Sequence, residues 1–168
     1  CFNQIFNFAA KTHYMSGGQF KMPLTMMIGY GGGYNGAAQH SQCLVATLAH
    51  VPGIRIATPA DSYDAKGLMH SCLRDDNLTI WMVHKRIWGL GWLGTALKTA
   101  IATVPEEEYT IPFGQARIWK EGKDVTLVGY GITVHAALQA AEKLAAEGIS
   151  AEVLDMRTIV PLDRDAIF

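Results

Sequence analysis

Asp124-Val125-Thr126-Leu127-Val128-Gly129, the run from Val134 to Glu147, and Ala151-Glu152-Val153-Leu154-Asp155 decide the fold. The first and last runs are short, apolar strands. The middle run is a strong amphipathic helix, and Gly148 closes it where a left-handed residue is needed. Strand, helix and strand of these lengths form a right-handed crossover unit with parallel strands.

The same alternation continues upstream, which places the chain in the α/β class with parallel strands. Gln4 to Met15 reads as a helix closed by Gly17-Gly18. Leu24 to Ile28 reads as a strand. Gln42 to His50 reads as a helix stopped by Pro52-Gly53, and Ile54 to Thr58 as a strand ended by Pro59. Asp61 is an N-cap for a helix from about Tyr63 to Leu73. Thr79 to Val83 and Ala116 to Trp119 are further strands. Unbroken apolar strands suit a sheet covered on both faces. The domain division expected is 1–86, an interdomain connection over 87–114, and a second α/β unit over 115–168. The connection holds an aromatic, glycine-rich run, Trp88 to Gly94, and an acidic run, Glu106 to Glu108, read as a solvated face.

Composition narrows the partners. Of 168 residues, 49% are hydrophobic and 17% charged, and the net charge is -1. The near-neutral charge and lack of a basic run exclude nucleic acid and an anionic membrane as expected partners. Four Trp, seven Met and few charges imply apolar surface covered by another subunit. Cys1, Cys43 and Cys72 form neither a CxxC pair nor a disulfide framework, so free thiols in a reducing compartment are expected. No apolar run is long enough to span a membrane. The chain opens on Cys1 and ends at Asp163 to Phe168, which read as the start of a helix. Both ends read as cuts within a longer protein.

Gln39-His40-Ser41-Gln42 carries the chemistry. It follows Gly29-Tyr30-Gly31-Gly32-Gly33-Tyr34-Asn35-Gly36, where glycines allow close backbone approach to a ligand. The first turn of a helix offers free N–H groups. A histidine there can exchange a proton near neutral pH. The plainer reading is a helix cap with His40 as a satisfied neighbour.

Four segments stand in order: Asn7 to Lys11, Gly29 to Gln42, Pro52 to Asp61, and Asp64 to Leu68 with Arg74-Asp75. Tyr109 to Gly114, Asp124 to Val128 and Asp155 to Asp163 follow them. Together they resemble the beta subunit of the thiamine diphosphate-dependent, decarboxylating component of 2-oxoacid dehydrogenase complexes, with pyruvate and acetoin dehydrogenases as the nearest kinds. The resemblance implies the later part of a transketolase-like pyrimidine-binding domain, then the start of the transketolase C-terminal domain. It implies an alpha subunit partner in an alpha2-beta2 heterotetramer, with Mg²⁺ and the diphosphate held mainly by alpha, and a lipoyl acyltransferase core as a further partner. His40 matches the family's active-site histidine, which positions the 2-oxo acid, transfers protons and assists acyl transfer to lipoate. A structural K⁺ site is implied at the carbonyls of Leu24, Cys72, Leu73, Asp75 and Asn77, where a helix end leaves carbonyls free for a hard cation. The implied compartment is the bacterial cytoplasm, or the mitochondrial matrix or plastid of a eukaryote.

Three departures qualify the match. The family's cofactor-activating glutamate lies upstream of the Asn7–Lys11 helix, and no carboxylate here takes its place. Met27 stands where relatives often carry arginine. The stretch from Trp92 to Thr103 is longer than the usual connection. The alternatives are an acetoin dehydrogenase beta subunit and a non-catalytic assembly module. The 168 residues alone are expected to bind thiamine diphosphate weakly and to self-associate.

Overall fold

The computed structural model describes residues 1–33, 36–88 and 97–168. Among them, β1 (Thr25–Tyr30), β2 (Arg55–Ala57), β3 (Thr79–His84) and β7 (Thr158–Val160) form one sheet in the order β1-β3-β2-β7. A second sheet holds β4 (Arg117–Lys120), β5 (Val125–Gly129) and β6 (Ala151–Asp155) in the order β4-β6-β5. The regular helices are α1 (Thr12–Met15), α2 (Val45–Ala49), α3 (Ser62–Leu73) and α4 (Ile132–Ala146).

β3 is the centre of the first sheet, and all six of its residues are buried. The two-residue period of a strand sends its side chains alternately to two cores. Ile80 and Met82 pack with Ala10, Val45 and Leu48, while Trp81 and Val83 pack with Leu68, Cys72 and Ile111 on the α3 face. β1 and β2 pair with β3 in parallel, in register from Thr25↔Thr79 and Arg55↔Thr79. A strand covered on both faces has no polar side to spend on water, which is why it reads as a continuous apolar run.

The parallel expectation holds for β1, β2 and β3, and for β5 beside β6. It fails for β4 against β6 and for β7 against β2, which are antiparallel. Connection length explains the first case. Parallel strands need a crossover of a dozen or more residues. Glu121 to Asp124, between β4 and β5, is too short for one, so the chain reverses there, and β5 in turn runs parallel to β6.

Several elements differ from expectation. Gln4 to Met15 is two pieces: a π-helix over Gln4–Ala9, and then α1. The Ala10 amide donates to the Ile5 carbonyl at 3.0 Å, one residue too far for an α-helix. At this break the buried Ala10 meets the backbone of Gly53, where an added Cβ would lie 1.8 Å from the Ala10 carbonyl oxygen. α2 starts only at Val45, because Gln42 gives its carbonyl to the Gly31 amide at 2.8 Å. Asp163 starts no helix; its carboxylate accepts from the Ala116 and Ala166 amides. The cap at Asp61 is as expected: its Oδ1 accepts from the Asp64 amide at 2.7 Å, an interaction worth about 1 kcal/mol.

Residues 97–113 form a strap along α3. Ser62 bonds both backbone groups of Ala102, and the Lys66 ammonium donates to the carbonyls of Pro105, Glu106 and Glu107. Tyr109 stacks on Tyr63 at 4.6 Å. Of the Trp92–Thr103 stretch, residues 92–96 lie outside the described residues. The Glu108 carboxylate pairs with Arg74 on the surface. No helix among the described residues is long and apolar enough to cross a membrane.

Charge joins the two sheets. Asp64, fully buried at the start of α3, receives Arg157 in a fork: Nη2 to Oδ1 at 2.8 Å and Nε to Oδ2 at 3.1 Å. Arg117 donates to Asp61 at 2.9 Å and stands 3.6 Å from Asp64. His135 of α4 bonds the Ala60 carbonyl through Nε2 at 2.7 Å and Thr99 through Nδ1 at 2.8 Å. Asp155 is also fully buried, but its oxygens meet only neutral donors: the Arg157 amide at 2.9 Å and the Trp119 indole at 3.1 Å. Burial pushes its carboxyl up to about 7, with the Asp64 charge adding to the rise. The two hydrogen bonds and the Arg157 charge offset only part of this.

Removing Arg157 leaves a buried carboxylate without its partner. Arg157→Ala in the full-length protein should therefore destabilise it by about 3–5 kcal/mol in denaturant unfolding. Arg157→Lys should recover only part of that loss, because an ammonium cannot make the fork. Asp155 gives a pH signature. Its folded value lies above the ordinary value of 3.8, so the folded state binds the extra proton. The penalty is absent below about pH 4, grows from about 4 to 7, and is complete above 7. The unfolding midpoint measured against pH should fall less steeply through that window in Asp155→Asn than in the unaltered protein.

Candidate functional site

The site forms where β1 and β3 end side by side. In open α/β sheets, ligands gather beyond the carboxyl ends of the strands. Past Tyr30 the chain enters the glycine run. Gly31 has φ +82°, and a Cβ there would stand 2.2 Å from Nε2 of His84. Only glycine satisfies both the backbone and the imbedded ring. The Gly31 amide then donates to the Gln42 carbonyl, which folds the run back onto the polar quartet. Tyr34 and Asn35 lie outside the described residues.

The quartet occupies a 3-10 turn over Ala38–His40 and the two residues after it, rather than the start of a regular helix. Gln39 and His40 are exposed. The Ser41 hydroxyl donates to the Ala37 carbonyl at 2.7 Å, and the Lys85 ammonium donates to the His40 carbonyl. The backbone of His40 is thus pinned from two sides. Its imidazole is exposed and makes no hydrogen bond among the described residues. A ring held this way can meet a ligand or carry a proton without first breaking an internal contact.

Behind the loop stands a second histidine that sequence reasoning did not single out. His84 is only 8% exposed. Its Nδ1 accepts the Arg86 amide at 3.2 Å, so Nε2 carries the hydrogen. The ring meets Tyr30 edge-on at 5.2 Å. Burial first, then the charges of Arg86 and Lys85, hold its pKa below the ordinary value, and it is neutral at pH 7. A cavity of about 280 Å³ opens here, lined by Tyr30, Gly31, Ser41, His84, Tyr130 and Thr133 among others. No carboxylate lines it, and His40 is not part of its wall. The available signal for His84 was its place at the last position of an apolar parallel strand.

Two of the carbonyls considered for a cation, those of Leu24 and Cys72, meet at one residue of β3. Thr79 donates its amide to the Leu24 carbonyl at 2.9 Å and its hydroxyl to the Cys72 carbonyl at 3.3 Å. The Asp75 carboxylate accepts from the Asn77 amide and side chain, and pairs with Arg55 at 2.9 Å. Thr79 thereby gathers the Leu24 and Cys72 carbonyls, and the Asp75 amide also donates to the Cys72 carbonyl at 3.3 Å. Each carbonyl oxygen has a second lone pair. The Cys72 thiol is buried and pushed up to about 11, so its sulfur stays protonated. Met27 is exposed on β1.

Comparison with known proteins matches residues 1–89 to the transketolase pyrimidine binding domain and residues 114–168 to the transketolase C-terminal domain. Over 99% of the chain, 46% of residues are identical to the beta subunit of an acetoin:2,6-dichlorophenolindophenol oxidoreductase from Cupriavidus necator, covering 46% of that protein. Identity is 45% over 99% of the chain with a pyruvate dehydrogenase E1 component subunit beta of Rickettsia felis, and 42% over 98% with a 2-oxoisovalerate dehydrogenase subunit beta of Bacillus subtilis. Each match covers 48% of the relative. The chain thus spans about half the length of the curated relatives it matches. A solved structure described as a split-gene transketolase, in an inactive beta4 tetramer, superposes with a TM-score of 0.72 over 99% of this chain and 47% of its own, at 24% identity, and so shares the fold.

Proposed function

The chain belongs to the transketolase family, and on that premise we propose that it is part of the beta subunit of a thiamine diphosphate-dependent 2-oxoacid dehydrogenase. Such an enzyme oxidatively decarboxylates a pyruvate-like 2-oxo acid and passes the acyl group to lipoyl. The observation that carries the proposal is His40, exposed on a pinned turn directly after the glycine run. The names of the related beta subunits support a 2-oxo acid or acetoin as substrate.

The residues fit one end of the cofactor. The glycine run and His40 form a wall with a proton-carrying ring. The cavity behind the run has no carboxylate, and no group of three or more His, Cys, Asp or Glu among the described residues could hold a metal. That donor set suits the ring side of thiamine diphosphate and leaves Mg²⁺ and the diphosphate to the alpha subunit. When bound, the cofactor supplies the carbon nucleophile and the electron sink for decarboxylation. His40 moves a proton on its imidazole and orients the substrate. Gly31 and Gln42 hold the backbone that carries it. We place the alpha subunit, in an alpha2-beta2 assembly, against the apolar surface of this chain, with the lipoyl acyltransferase core as the acceptor of the product.

Two measurements test this reading. In the full-length protein assembled with its alpha partner, His40→Ala should lower lipoyl-acceptor turnover by roughly 10²-fold. Unchanged turnover in an intact assembly would overturn the role of His40. Rates with pyruvate, acetoin and 2-oxoisovalerate identify the substrate. The second concerns K⁺, which we assign to the carbonyls of Leu24, Cys72, Leu73, Asp75 and Asn77. Replacing K⁺ by choline should lower the thermal midpoint by several degrees, the effect of about 1–3 kcal/mol of binding. A midpoint indifferent to the cation would remove the site.

A further inference from the structure

We propose that Arg86 captures the carboxylate of the substrate at the rim of the glycine loop, so that this chain selects an anionic 2-oxo acid over a neutral hydroxyketone. This role presupposes the function proposed above, whose substrate class it narrows. Arg86 lies just past the end of β3, and its amide is spent on Nδ1 of His84. Its side chain turns back onto the loop: a Cβ on Gly33 would stand 2.6 Å from the Arg86 Cδ. On the preceding glycine, Gly32, a Cβ would stand 3.4 Å from the Cβ of Ser41, the residue after His40. Neighbouring glycines thus carry the Arg86 stem and the turn of His40.

The Arg86 guanidinium is exposed and makes no hydrogen bond or ion pair among the described residues. Other arginines have a carboxylate each: Arg55 pairs with Asp75, Arg74 with Glu108, Arg117 with Asp61 and Arg157 with Asp64. Arg86 lines a space of about 110 Å³ with Leu97, Ile132, His135 and Gln139 among others. Both ring nitrogens of His135 are committed, to Thr99 and to the Ala60 carbonyl, which leaves Arg86 as the cation offered there. No carboxylate lines this space or the cavity behind the glycine run. Ile132 is a wall of both, so the guanidinium and the cavity are neighbours across one side chain.

Charge selects the guest. The Lys85 ammonium stands at the His40 carbonyl and adds to the field of Arg86. Two cations therefore flank the turn on which His40 is exposed, and they draw an anion to that face. A planar guanidinium offers a carboxylate two parallel donors. A hydroxyketone presents no charge to it. The contact suits capture rather than chemistry. The carboxylate must leave as CO2, and a dry, tight clamp would stabilise the very group that the reaction removes. A guanidinium open to water is screened, holds the acid weakly and lets it go. Its contribution falls on KM, whereas that of His40 falls on kcat.

Phenylglyoxal labelling of the full-length protein, assembled with its alpha partner and read at Arg86 by peptide mass, tests this role. Arg86 should react, and pyruvate or 2-oxoisovalerate should slow that reaction in a saturable way. Acetoin and sulfate at equal concentration should not. In lipoyl-acceptor assays with the better of the two acids, Arg86→Met keeps an unbranched stem on Gly33 and should raise KM about fivefold, the upper end for a water-exposed ion contact, with kcat unchanged. Arg86→Lys should keep KM close to that of the unaltered protein, because capture needs the charge more than the fork. Protection is read without turnover, so an assembly that is protected by an acid it does not convert supports the capture site and refutes the function proposed above. Turnover that needs His40 but not Arg86 refutes the role of Arg86 alone. That role is also overturned if Arg86 is unreactive in the assembly, if neither acid protects it, if acetoin or sulfate protects it as well, or if the Met and Lys variants share one KM.

Discussion

One buried carboxylate organises this molecule. Asp64 is fully excluded from water, with Arg157 forked onto it and Arg117 beside it. Isolated burial of such a charge would cost several kcal/mol. The two arginines come from the second unit and the carboxylate from the first. The pair therefore fixes where β4 and the turn after β6 lie against the start of α3. It also explains the conformation of Arg157, whose φ is +54°. That turn lets its backbone accept from Thr58 while its side chain reaches Asp64. β7 then has one direction left to run, along β2.

The strap over α3 follows from the same arrangement. Once Asp61 and Asp64 lock the start of the helix to the second unit, the connection between the units must pass along the helix flank. Lys66, Tyr63 and Ser71 hold it there with backbone carbonyls, a ring face and a hydroxyl. The stretch expected as an interdomain connection is bonded to α3 along much of its described length. The polar contacts involve mainly backbone groups on the strap, which is why its side chains gave little sign of them.

What could be read from the amino acids was whatever depends on local chemistry. β3 reads as a strand because all its residues are buried, and α3 reads as a helix because Asp61 caps it. The quartet at His40 stood out because polar residues followed glycines. What could not be read depends on distant partners. β7 is three residues long and exists because β2, about a hundred residues earlier, has a free edge. The break near Ala10 depends on the close approach of Gly53. His84 looked like the tail of an apolar strand; only the space left by Gly31 makes it part of a site. The cation residues came from resemblance, and Thr79, which gathers two of their carbonyls, carries no local mark of that role.

His40 and His84 divide the glycine loop between them. One ring is exposed on the turn and the other is buried behind it, 44 positions later in the chain. Two bonds connect them. The Gly31 amide, set against His84, holds the Gln42 carbonyl two residues beyond His40. Lys85, the neighbour of His84, holds the His40 carbonyl itself. The end of β3 therefore reaches the backbone of the exposed histidine by two short routes, both anchored in a strand that is fully buried. A loop rich in glycine has little stiffness of its own. Here its shape is borrowed from β3, and the position of the His40 ring is only as well defined as the seat of His84 against Gly31.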